Sequence, residues 1–207
     1  MAGMLARLAF GVWMVIGVGL GAQTLKSAGG YGRDIEGRAV RELGGASTRA
    51  VVLYFVASDC PISNRTFPEM KRVREEFSGG GVRFWFVYAN NGETAAAVKE
   101  HQRQYDAAGE AVLDTDGMLA RMTGAKVTPE VAVLTPDAAG REARWSVRYV
   151  GRVDDRYARI GVERSQATEH FAERVVREVL EGKPVEKATG MPVGCGIVSP
   201  AAAGTGR

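Results

Sequence analysis

The chain has 207 residues, 45% of them hydrophobic, with 27 Lys and Arg against 24 Asp and Glu. That length fits one generous domain or two small ones, and the composition is that of an ordinary globular protein with a packed core. The net charge of +3 comes from basic residues scattered among acidic ones, which gives no reason to expect a nucleic-acid partner, and two cysteines are too few for a disulfide scaffold or a four-cysteine zinc site.

Residues 1–22 read as an export signal: Arg7, an apolar stretch from Leu8 to Leu20, and the small residues Gly19, Gly21 and Ala22 before Gln23. The stretch is interrupted by Gly11, Gly17 and Gly19 and falls short of the ~20 residues of a spanning helix. Cleavage would delete Arg7 and lower the charge from +3 to +2. The expected location is therefore periplasmic or extracellular, with a membrane anchor as the alternative should the segment stay uncleaved. Outside the cytoplasm disulfides persist, so any thiol there needs a dedicated reductant.

Residues 31–182 read as one domain. The run Val51 to Val56 is β-branched and aromatic without polar alternation, as in a strand buried on both faces. Phe67, Met70, Val73 and Phe77 then recur at helical spacing up to Ser78 and three glycines. A strand is expected over Val82–Tyr88, a helix over Ala95–Tyr105, a short strand over Ala111–Leu113, a short helix over Gly117–Met122 and a strand over Val131–Leu134. The turn Pro136–Gly140 leads to Trp145, Val147 and Tyr149, whose period of two suggests the return arm of a hairpin. Phe171, Val175, Val179 and Leu180 form one face of a last helix. This order predicts an α/β fold, a mixed central sheet with helices on both faces. Residues 183–207, rich in Gly, Ala and Pro, read as a flexible tail that carries Cys195.

Cys60 lies where the most apolar strand ends and a helix begins, followed by Pro61 at a position suited to the first helical turn. Function concentrates at the carboxyl ends of strands in open α/β sheets. The unpaired amides and positive dipole end of the helix favour a thiolate there. Arg65 would add to this and Asp59 would oppose it.

These residues bring out a family resemblance. Phe55 to Met70 (FVASDCPISNRTFPEM), Thr128-Pro129, the stretch GRVDD at 151–155 and the tail motif Gly194-Cys195-Gly196-Ile197 resemble the thioredoxin-like superfamily. Within it, the chain is most similar to exported redoxin domains grouped with alkyl hydroperoxide reductase and thiol-specific antioxidant proteins. The resemblance implies a three-layer fold and a redox-active Cys60 that acts on a disulfide or peroxide. It also implies a proline in the thiol-bearing helix, here Pro68, and a cis-proline, here Pro129, that faces the cysteine and leaves the backbone of Thr128 free to pair with substrate.

The chain also departs from the family patterns. A local dithiol would need a second cysteine at the position of Ser63. A typical peroxidase would carry a hydroxyl residue at the position of Ala57 and a proline at that of Leu53, and Ser58 is out of register. Cys60 then needs a resolving thiol against overoxidation, and Cys195 is the other cysteine of the chain. The glycines at 194 and 196 would let it approach another backbone closely. The candidate site is thus Cys60, Cys195, Thr128, Pro129 and Arg65, with Arg148 and Arg152 as further sources of positive charge. No cofactor or metal is expected. The partners expected are a thiol reductant or a protein disulfide, with a small peroxide as another possible substrate. The alternatives are a non-catalytic binding module and a copper-delivery protein, although the chain has only two Cys and two His. His101 and His170, among charged neighbours, are expected at the surface.

Overall fold

The computed structural model describes residues 30–107, 109–137 and 145–198. The expected export segment lies outside them. In chain order the elements are β1 (Arg33–Asp34), β2 (Ala50–Val56), α1 (Pro61–Phe77), β3 (Val82–Tyr88), α2 (Ala95–Gln104), β4 (Glu110–Leu113) and α3 (Met118–Thr123). They continue with β5 (Val127–Thr128), β6 (Glu130–Pro136), β7 (Trp145–Gly151), β8 (Tyr157–Arg159), β9 (Val162–Glu163), α4 (Phe171–Leu180) and β10 (Cys195–Gly196).

The main sheet has the order β1-β4-β3-β2-β6-β7. β2 pairs parallel with β3 and antiparallel with β6, so it is central, and all seven of its residues are buried. Its side chains alternate between two cores, as strand geometry requires. Val52, Tyr54 and Val56 meet Phe67, Met70 and Val73 of α1 and Phe171, Val175 and Val176 of α4. Val51, Leu53 and Phe55 meet Leu119 and Ala120 of α3 together with Val40 and Leu43. The result is the mixed α/β sheet with helices on both faces that the periodicity predicts.

Local chemistry sets the element ends. Pro61 opens α1 without needing an intrahelical donor. Pro68 sits inside the same helix, where it cannot donate to the carbonyl of Asn64. The carboxylate of Asp114 accepts from the amides of Leu119 and Ala120 at 3.0 and 2.9 Å and so caps α3. In the β6–β7 hairpin the register shifts between Val133 and Leu134, which face Tyr149 and Val147. The extra residue, Arg148, reverses the side-chain alternation. Trp145 therefore joins one core and Tyr149 the other, although their spacing in sequence reads as one face.

Candidate active site

Cys60 ends the loop from β2 and occupies the N-cap position of α1, with its carbonyl accepting from the amide of Asn64 at 2.9 Å. It is 1% exposed. Cys60 thus stands at the positive end of a 17-residue helix, with no acidic residue in the first turn to offset the helix dipole. Asp59, directly before it, is exposed.

Cys60 is joined to Cys195 by a disulfide that spans 135 residues, with the two Cα atoms 6.2 Å apart. This is inside the ~7 Å limit for bridging without backbone movement. The Sγ of Cys60 also lies 3.2 Å from the carbonyl oxygen of Thr128. In the oxidised protein this is a contact, and once reduced the thiol has a proton to donate there.

The Thr128–Pro129 peptide bond is cis. β10 pairs antiparallel with β5, with Cys195 opposite Thr128 and Gly196 opposite Val127. The pairing continues through the amide of Ile197, which donates to the carbonyl of Lys126 at 2.8 Å. Val198 is tied on both sides: its carbonyl accepts from the amide of Asn91 at 2.8 Å, and its amide donates to Asn90 Oδ1 at 3.1 Å. The segment read from sequence as a tail is thus laid along the body of the protein as far as Val198. Its earlier part contributes Val185 and Ala188, which pack against the first core.

Of the two glycines that flank Cys195, one is required by space. A Cβ on Gly194 would lie 2.2 Å from the carbonyl oxygen of Thr128 and 2.6 Å from its carbon. A Cβ on Gly196 would meet open space. The expectation that both glycines serve close approach is corrected to Gly194 alone.

A polar chain backs the Cys60 loop. Glu93 accepts from the amide and the hydroxyl of Ser58, each at 2.8 Å. The side-chain Nδ2 of Asn64 donates to the carbonyl of Ser58 at 3.4 Å. The side-chain oxygen of Asn64 lies 2.8 Å from His101 Nε2, and Tyr88 Oη lies 2.9 Å from His101 Nδ1. An amide oxygen can only accept, so Nε2 carries the proton and Nδ1 accepts from Tyr88. His101 is buried, which corrects the expectation of a surface residue. Helical spacing explains it: Val98, His101 and Gln102 share the inner face of α2, while the charged neighbours Lys99, Glu100 and Arg103 turn outward. Burial holds the pKa of His101 below its ordinary value of 6.5. His170 stays half-exposed, with Nδ1 2.9 Å from Glu69 Oε1.

Glu130, which sequence reasoning missed, shapes the loop that carries Thr128 and Pro129. Its carboxylate accepts from the amides of Lys126 and Val127 at 2.7 and 3.2 Å, and burial pushes its pKa up. An acidic residue right after the proline of a hydrophobic strand entry was the available signal. In the GRVDD stretch, Asp155 accepts from the amides of Thr168 and Glu169 at 2.7 and 2.9 Å and pins the excursion that leads to α4.

Four of the five candidate residues, Cys60, Cys195, Thr128 and Pro129, are brought together. Arg65 lies on the exposed flank of α1, where its charge acts on Glu163 of β9. Arg148 is exposed on β7, and Arg152 donates to the carbonyls of Asp154 and Tyr157 and lies over the ring of Phe171. Ser63 is fully buried, and its hydroxyl has no partner in the oxidised protein.

The Redoxin family model matches residues 38–156, more than half of the chain. The chain belongs to the Redoxin family. Among solved structures, a hypothetical protein from Sinorhizobium meliloti 1021 is 23% identical with a TM-score of 0.64, covering 87% of this chain and 100% of its own. An uncharacterised conserved protein from Geobacillus kaustophilus is 19% identical with a TM-score of 0.65, covering 86% of this chain and 93% of its own. Both likenesses concern the fold, a thioredoxin-like one. No curated protein matches the chain.

Proposed function

We propose that this redoxin is an exported thiol–disulfide oxidoreductase in which Cys60 is the nucleophile and Cys195 the resolving thiol. The observation that carries the reading is the Cys60–Cys195 disulfide seated against the carbonyl of Thr128. It supplies, from a distant part of the chain, the second sulfur that the position of Ser63 lacks. Export rests on the composition of residues 1–22, and among the described residues no helix is long and apolar enough to cross a membrane.

The reduced pair would work in two exchanges. The Cys60 thiolate attacks one sulfur of a substrate disulfide, forms a mixed disulfide, and releases the other sulfur as a thiolate that takes a proton from water. The Cys195 thiolate, its proton given to solvent, then attacks the Cys60 sulfur. The substrate's second sulfur leaves and is protonated. The substrate gains two electrons, and the protein is left with the disulfide described above, which a dithiol reductant reopens.

Disulfide exchange is favoured over peroxide reduction by the surroundings of Cys60. Ala57 offers no hydroxyl, Leu53 stands where a typical peroxidase has proline, and the hydroxyl of Ser58 is committed to Glu93. The binding-module and copper-delivery alternatives lose weight for a related reason. The two sulfurs are bonded to each other, and both ring nitrogens of His101 are hydrogen-bonded within the protein.

The test is to mix the reduced full chain with glutathione disulfide and count the thiols left. Two thiols lost per chain, with Cys60 linked to Cys195 and no such loss in Cys60→Ser, is the expected result. Loss no greater than that of Cys60→Ser would overturn the reading. Faster oxidation by hydrogen peroxide than by any disulfide would replace it with the peroxidase reading.

A further inference from the structure

We infer that Asn90 and Asn91, in the turn between β3 and α2, are positioning residues for the resolving step: they clasp residue 198 and so seat Cys195 against Cys60. The inference rests on the oxidoreductase reading above and adds to it the device that returns the second sulfur.

The turn is fixed at both ends. It follows Tyr88, the fully buried last residue of β3, and leads into α2, whose N-cap Thr94 accepts from the amide of Ala97 at 3.2 Å. Between them the amide of Glu93 donates back to the carbonyl of Asn90 at 3.3 Å, and Gly92 takes the left-handed conformation that closes the bend, with φ +98°. One end of the turn holds the loop of Cys60, because the Glu93 carboxylate accepts from both the amide and the hydroxyl of Ser58, two residues before the nucleophile. The other end holds the C-terminal stretch. The side chain of Asn90 accepts from the amide of Val198 at 3.1 Å, and the amide of Asn91 donates to the carbonyl of Val198 at 2.8 Å. Val198 stands three residues after Cys195, about 10 Å of extended chain. Its side chain is 65% exposed, so hydrogen bonds with Asn90 and Asn91 rather than apolar burial fix this point of the stretch. The positions of both sulfurs are thus referred to one short turn.

A clasp made in the oxidised protein and as the arm returns, but open once the arm is released, favours closure of the internal disulfide without touching the first exchange. It acts by raising the local concentration of Cys195 at Cys60. In the step itself the Cys195 thiolate bonds to the Cys60 sulfur, and the substrate's sulfur leaves and takes a proton from water. Asn90 and Asn91 exchange neither proton nor electron.

The test uses full chains equilibrated in glutathione buffers, with the ratio of internal disulfide to dithiol read by alkylation and mass spectrometry. Asn90→Ala should lower that ratio about fivefold, as loss of one ordinary hydrogen bond would, and Asn90→Asp, which keeps an acceptor oxygen in place, should restore it to within about twofold. Val198→Pro removes the donor from the other side, at an exposed position, and should match Asn90→Ala. The two together should lower the ratio no further than either alone. In the Cys195→Ser chain, Asn90→Ala should leave the reaction of Cys60 with dithionitrobenzoate unchanged. An unmoved ratio, a double variant whose loss is the product of the single losses, or an Asn90→Asp chain no better than Asn90→Ala would overturn the clasp and leave the oxidoreductase standing. Slower reaction of Cys60 in the chain carrying both Cys195→Ser and Asn90→Ala would make Asn90 a support of the Cys60 loop and overturn its assignment to the resolving step. No reaction of Cys60 with dithionitrobenzoate in the Cys195→Ser chain would overturn the oxidoreductase reading itself.

Discussion

Cys60 and Cys195 share one bond but stand on ground of different kinds. Cys60 closes the loop between a strand whose seven residues are all buried and a 17-residue helix, with Ser58, Asn64, Glu93, His101 and Tyr88 braced behind it. Cys195 stands on a two-residue strand, half-buried, in a stretch held largely by backbone hydrogen bonds and the side chain of Ile197. The position of Cys60 is set by the cooperative core, whereas that of Cys195 is set by the disulfide and a short edge. Opening the bond should therefore release the C-terminal stretch and leave the Cys60 loop where it is.

The largest effect expected from this contrast is on chemistry. Cys60→Ser should abolish disulfide exchange, whereas Cys195→Ser should leave Cys60 able to form a mixed disulfide that it cannot resolve. Quantifying trapped adducts by mass spectrometry separates the two, and equal behaviour would erase the asymmetry. For stability, a bond closing 135 residues is worth about 5 kcal/mol in the chain-entropy model. Chemical denaturation of oxidised against reduced protein measures it, and an unchanged midpoint would mean that the bond constrains little.

Side chains on the two sides should differ in the same sense. Phe67 stacks on Phe86 and Tyr105 at 5.2 and 5.8 Å and meets His101 edge-on at 5.0 Å. Phe67→Ala should cost about 3–5 kcal/mol in either redox state. Ile197→Ala, at a partly exposed position, should cost about 1 kcal/mol or less once the disulfide is open. A larger cost for Ile197 than for Phe67 in the reduced protein would invert the comparison.

His101 gives a pH signature to the Cys60 side. Its pKa in the fold lies below the 6.5 of the exposed side chain. As pH falls through 6.5 the unfolded chain takes up a proton that the fold refuses, so stability declines. Asp114, Glu130 and Asp154 have pKa values raised chiefly by burial, and they act in the opposite sense: their unfavourable ionisation in the fold is relieved as pH falls. The difference between the natural chain and His101→Gln isolates the histidine. That difference should shrink below pH 6.5, and a constant one would contradict a buried neutral imidazole. The smallest effect belongs to the surface. Arg103→Ala breaks an exposed ion pair with Glu100 and should leave the denaturation midpoint unchanged.

The same contrast decides what could be read from the sequence. β2, α1, β3, β6 and α4 declare themselves because the strands are nearly unbroken apolar runs and the helices repeat apolar residues at helical spacing, and Cys60 is visible because it stands at a strand-to-helix junction. β1, β5, β8, β9 and β10 are two or three residues long and carry no period. They exist because another segment pairs with them. His101 is misread because charged neighbours outweigh a single inward position on a short helix. Arg148 hides a bulge that spacing cannot show. The approach of residue 195 to residue 128 is a contact between distant stretches, and the local mark it leaves is Gly194.

The central claim is that Cys60 and Cys195 form one redox pair within a chain, and non-reducing peptide mapping of the oxidised protein tests it most directly. The account predicts a single linked pair of peptides, one containing Cys60 and the other Cys195 of the same molecule. Cys60 recovered as a sulfinic acid, or bonded to another chain while Cys195 remains a free thiol, would contradict it.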